Sequence, residues 1–225
     1  EADYVHPAAS QYEKAEATFF SMGFPDNWFC LRAPVLDPLP GTLPEAEIHA
    51  RLLRELGALD GIDLAGLRTA AEQGESRFAD AFMQAAMTDP KVAEIGAIVL
   101  YETLGHTLPS GLEGAAVLWF SAQQAALRYP EAVRAAGFDG DGAELGNALW
   151  RAILSERDGV VFTRHDHADS WSLLKTADQR IQLAIPEQLA EIVPLIDEMP
   201  TYTSDEFPFV LSAGERRGFT ANTIM

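Results

Sequence analysis

"PEAEIHARLLRELG", Pro44 to Gly57, is the stretch that decides the fold class. Its apolar residues Ile48, Leu52, Leu53 and Leu56 recur at three- and four-residue intervals, which places them on one stripe of a helix. Thr42, Leu43 and Pro44 lead into the first turn, and Gly57 stops the helix. A half-buried strand would need strict alternation, and none is present.

The same punctuation repeats toward the C-terminus. "DLAGLRTAAEQG" (63–74) opens on an Asp cap and closes on Gly74. "ESRFADAFMQAAM" (75–87), "PKVAEIGAIVLYETLG" (90–105), "LEGAAVLWFSAQQAALRYPEAVRAAG" (112–137) and "DGAELGNALWRAILSER" (141–157) follow, each bounded by Gly, Pro or Asp. Pro130 kinks or divides the longest of them. Phe78, Phe82, Met83, Trp119 and Phe120, at helical spacing, are expected in the core. Residues 45–157 therefore read as a helical module.

The pattern changes after Asp158–Gly159. "GVVFTRH" and "RIQLAIP" are β-like runs, predicting short strands near 159–163 and 180–184. "PEQLAEIVPLI" (186–196) is a last short helix, the polar stretch Met199 to Glu206 a linker, and "FPFVL" (207–211) a closing strand. Residues 1–44 are irregular, and four prolines between Arg32 and Glu45 mark an extended connector. The expected fold class is α+β, predominantly α-helical, with segments 1–44, 45–157, 158–205 and 206–225.

Composition narrows the function classes. The 225 residues carry 34 acidic and 16 basic side chains, a formal net charge of −18. A surface this negative repels phosphate backbones, so nucleic-acid binding is not expected. No apolar run reaches the roughly 18–20 residues of a membrane span, so direct membrane insertion is not expected either. The chain opens at "EADYVHPAAS" with neither an initiator Met nor a signal-peptide pattern, and both ends read as cut from a longer protein.

Most local motifs have structural readings. Cys30, alone in an apolar setting and with no base nearby in sequence, is a small hydrophobe rather than a nucleophile. His165 and His167 share a face if extended, yet no third ligand stands at a recognisable spacing, so "RHDHADSW" reads as a solvated loop. Asp139, Asp141 and Glu144 imitate a calcium loop, but Glu144 occupies the glycine position and Trp150 the glutamate position. That segment reads as a turn and helix cap. No catalytic or metal-ligating residue is expected in the chain.

The C-terminal stretch "SAGERRGFTANT" differs. Gly214 and Gly218 let backbone approach a ligand, and exposed amides there suit phosphate oxygens. Arg216 and Arg217 supply planar donors, with Thr220, Asn222 and Thr223 adding polar side chains.

Together with the start of the chain, this stretch carries a resemblance. "ADYVHPAASQYEKAEATFF" resembles the segment of large molybdopterin oxidoreductases in which a strand ends in Pro and runs into a polar, Glu-containing loop beside the cofactor. "FPFVLSAGERRGFTANTIM" is similar to the start of their C-terminal dinucleotide-binding barrel. "RDGVVFTRHDHADSWSLLKTADQRIQLAIPE" resembles the short strand pairs just ahead of it. The family includes formate dehydrogenases and nitrate reductases. The 45–157 module contributes little to the likeness.

The resemblance implies that residues 1–44 end an α/β cofactor-side domain and that 206–225 begin the barrel. It implies a parent enzyme holding molybdenum or tungsten between two pterin guanine dinucleotides, with a 4Fe-4S cluster in a preceding part. Ser212, Gly214, Glu215, Arg216, Arg217, Thr220, Asn222 and Thr223 match the cofactor loop, and Glu13, Glu16 and Thr18 match the other cofactor-side loop more loosely. In that family the loop often carries a Thr-x-Arg or Gly-Arg core, whereas this chain has Ala213–Gly214–Glu215–Arg216 rather than a plain Thr-Gly-Arg. The metal-ligating residue and the cysteine-rich motif lie before the matched region, so this stretch alone is expected to be inactive and to bind no cofactor. Implied partners are the remaining domains and an electron-transfer subunit, and the expected compartment is the cytoplasm. The alternative is a self-standing acidic helical interaction module without catalysis.

Overall fold

The computed structural model describes residues 3–17, 23–197 and 202–210. The chain divides into two units, Glu1–Ser170 and Trp171–Met225. In the first unit helices dominate, as the periodicity predicts: α1 (Glu45–Glu55), α2 (Leu64–Glu72), α3 (Glu75–Thr88), α4 (Pro90–Glu94), α5 (Gly96–Glu102), α6 (Val117–Arg128), α7 (Pro130–Ala135) and α8 (Gly142–Ser155). Asp63 caps α2 through a bond from the Gly66 amide. Pro130 stands at the start of α7 and divides it from α6. "PKVAEIGAIVLYETLG" is not one helix but two, because the backbone at Ile95 leaves the helical region between α4 and α5.

The core lies where α6 packs on α8, with α3 against them. Trp119, Trp150, Leu145 and Leu149 are buried there, and Phe78 and Phe82 of α3 meet the Trp119 ring edge-on with centroids 5.2 and 5.7 Å away. A buried polar side chain sits between α6 and α8. The Asn147 carbonyl oxygen, on α8, accepts from the Trp119 indole N–H at 3.1 Å and from the Gln123 amide at 2.7 Å. Gly146 beside it leaves room for the Gln123 side chain, which a Cβ at that position would strike.

Two expected core residues point outward. Met83 is 49% and Phe120 41% exposed, since helical spacing places them just beyond the stripes that Phe78, Phe82 and Trp119 bury. The opening stripe also departs from expectation: Leu52 and Leu56 are exposed, and Ala50 is the buried residue of α1.

The strands join distant parts of the first unit. β1 (Glu16–Ala17) pairs antiparallel with β3 (Leu31–Arg32). β2 (Asp26–Phe29) pairs antiparallel with β4 (Val160–Arg164), with a bulge at Asn27/Trp28. This brings residues before α1 against residues after α8. The pairing depends on Gly159, which has φ +87° and whose missing Cβ would lie 2.6 Å from the Trp28 ring. β4 matches the strand predicted near 159–163; β1, β2 and β3 lie in the stretch read as irregular.

In the second unit α9 (Pro186–Ile192) forms as predicted. The predicted strand at 180–184 does not, and Phe207–Val210 is likewise without strand structure; Leu211 lies outside the described residues. An isolated β-like run gains little without a partner strand, and neither run pairs with one among the described residues. From Trp171 to Val210, none of the residues whose burial is described is buried. Among the described residues no helix is long and apolar enough to cross a membrane.

Two outcomes are expected. Replacing Asn147 by Leu leaves the buried Trp119 N–H without an acceptor and should lower unfolding free energy by about 1–3 kcal/mol in urea titration; an unchanged midpoint and slope would exclude a structural role for the amide. Brief trypsin treatment should cut at Lys175 or Arg180 before any site between Arg51 and Arg151, and mass spectrometry of the first fragments reads the order. Early cleavage within α1–α8 would contradict the burial pattern.

Candidate functional site

Ser212, Gly214, Glu215, Arg216, Arg217, Thr220, Asn222, Thr223 and Thr18 lie outside the described residues. Glu13 and Glu16 are described, and each is engaged with a group of its own chain. Glu13 is buried, and its two carboxylate oxygens accept from the amides of Ser10 at 2.7 Å and Leu39 at 2.9 Å. The Tyr12 carbonyl accepts from the amides of Val35 and Leu36. Together these bonds fasten the N-terminal segment to the proline-rich connector. The bonds from Ser10 and Leu39 hold the Glu13 carboxyl below its usual range, since they favour the charged form.

Glu16 belongs to a small charged cavity that sequence reading did not single out. It lies on β1, and its carboxylate is 2.9 Å from the Lys14 ammonium, which also meets both Glu45 oxygens at 2.6 Å. Lys14, Glu16 and Glu45 line a cavity of about 210 Å³ with Ala15, Tyr101 and Glu113. Burial pulls the Lys14 pKa down, but the bonds and charges of Glu45 and Glu16 outweigh it, and the net shift is upward. Burial likewise pushes Glu45 up, and its bonds to Lys14 and to its own backbone amide, together with the charges of Lys14 and His49, reverse this and leave it lowered. An ammonium held charged between two carboxylates is a clasp between β1 and α1; a nucleophilic amine would need the opposite shift.

Next to it a second network ties α1 to α2 and α5. Glu102 is buried, and its carboxylate accepts from Arg54 on α1 and Arg68 on α2, each at 2.9 Å. Arg68 also donates to the Glu102 carbonyl at 2.6 Å. The Tyr101 hydroxyl donates to Glu47 at 2.8 Å, and Arg51 reaches the same carboxylate at 2.7 Å. Burial first, and then the hydrogen bond to Glu47 and its charge, raise the Tyr101 pKa and keep the phenol protonated. Burial raises Glu47, but its bonds to Arg51 and Tyr101 bring it below its usual range. This polar docking explains why α1 needs no buried apolar stripe. The sequence signal was faint: Lys14 is one of only three lysines, and Glu102 closes an otherwise apolar helix.

The remaining motifs lie elsewhere in the first unit. Phe24 packs between His165 (centroids 6.1 Å apart, stacked) and His167 (4.6 Å, edge-on), and Tyr129 meets His165 from the side. Among the described residues no group of three or more His, Cys, Asp or Glu side chains could hold a metal ion. Cys30 is half-buried, with its sulfur 3.9 Å from the Arg157 carbonyl. Asp141 precedes α8 and pairs with Arg134, while Glu144 lies in the first turn of that helix. Comparison of the chain with protein-family models, with curated proteins and with solved structures gives no match.

The clasp has a pH signature. Glu45 and Glu47 have lowered pKa values, so their contribution to stability is present above about pH 4.5 and lost as pH falls through their folded-state values. Lys14, raised, contributes below about pH 10.4 and loses its contribution as pH rises through its folded-state value. Lys14→Met should therefore cost on the order of 1 kcal/mol near neutrality. It should also make the acid limb of the stability curve shallower, though not flat, because Glu13 and Glu47 keep their partners. Thermal unfolding between pH 3 and 8 reads both effects; parallel acid limbs in the two proteins would show that the clasp contributes nothing.

Proposed function

We propose that the chain is part of a molybdenum-dependent oxidoreductase of the formate dehydrogenase and nitrate reductase type, contributing to the binding of molybdopterin guanine dinucleotide. The observation that carries this reading is the pair of end segments, "ADYVHPAASQYEKAEATFF" and "FPFVLSAGERRGFTANTIM", each similar to a cofactor-side segment of that family. The exposed surface of 171–210 is in keeping with it. Ile181, Leu183, Ile192, Val193, Phe207 and Phe209 are all more than half exposed, as expected of a piece whose packing partners are further domains.

The described residues divide the cofactor role unevenly. Glu13 does not fit a cofactor contact, because both its oxygens are bound by backbone amides. Glu16 retains some solvent exposure but answers to Lys14. The recognition role therefore falls to the C-terminal residues. In this proposal Gly214 permits close backbone approach, Arg216 or Arg217 makes charge-assisted bonds to phosphate or pterin, and Ser212, Thr220, Asn222 and Thr223 add polar contacts. Bound in the parent enzyme, the metal between its two pterins supplies the two-electron chemistry; the residues of this chain bind and orient. The exposed apolar surface equally favours the alternative, an acidic interaction module without a cofactor.

The test uses the intact parent polypeptide, with molybdenum measured per chain. Arg216→Ala or Arg217→Ala, whichever removes the contacting arginine, should lower retained metal, since each charge-assisted bond contributes about 1.5–3 kcal/mol. The Lys variant should restore only part of it, because a point charge lacks the planar fork. Gly214→Val should lower metal content without changing charge. Full molybdenum in both arginine variants and in Gly214→Val would overturn the assignment.

A further inference from the structure

We draw no further inference here: the strongest candidate, the open groove of about 580 Å³ between α2 and α3, floored by Leu67, Ala70 and Val92 and rimmed by Asp63, Arg77 and Asp80, carries nothing because its rim mixes both charges and nothing in the structure shows what covers it.

Discussion

The buried amide of Asn147 is the constraint on which the helical body turns. Its oxygen takes two donors from α6, the Trp119 indole and the Gln123 amide, and so fixes both the rotation and the axial position of α6 against α8. Apolar contact alone is non-directional and would tolerate several registers of two Ala- and Leu-rich helices. With Trp119 fixed, its ring offers edges and faces to Phe78 and Phe82, and α3 follows. The buried leucines and valines then fill the space that this geometry leaves.

A different principle holds the periphery. α1 is attached through charge: Arg54 and Glu47 to α5, and Glu45 through Lys14 to β1. Such pairs are individually weak where they are exposed, but Glu102 is buried between two arginines, so losing both Arg54 and Arg68 would strand its charge. Leu52 and Leu56 are left on the surface as a consequence.

Local signals in the sequence were readable, and non-local ones were not. Period, caps and the Pro130 break foretell α2, α3, α6, α7 and α8, because a helix is specified by residues three and four apart. The β2–β4 pair joins Asp26–Phe29 to Val160–Arg164, and nothing within either short run announces a partner so far along the chain. The runs at 180–184 and 207–210 show the converse: β-like composition without a strand to pair with stays irregular. Period also fails to tell a core stripe from its neighbours, which is why Met83 and Phe120 were expected inside. At the site, Glu13 and Glu16 could be named but not their duties. A carboxylate bound to distant amides and one held by a lysine look alike in sequence. The glycines and arginines of 214–217 suggested an anion-binding loop on chemistry alone; only the resemblance gave that loop a cofactor.

The central claim, that this chain belongs to an enzyme built around molybdopterin guanine dinucleotide, is tested most directly by chemical analysis of the intact parent purified from its own host. Metal analysis paired with acid release of guanine nucleotide should find molybdenum or tungsten together with guanine nucleotide in a ratio near two per metal. A parent polypeptide purified intact with neither the metal nor the nucleotide would contradict the claim and leave the acidic interaction module as the reading of this chain.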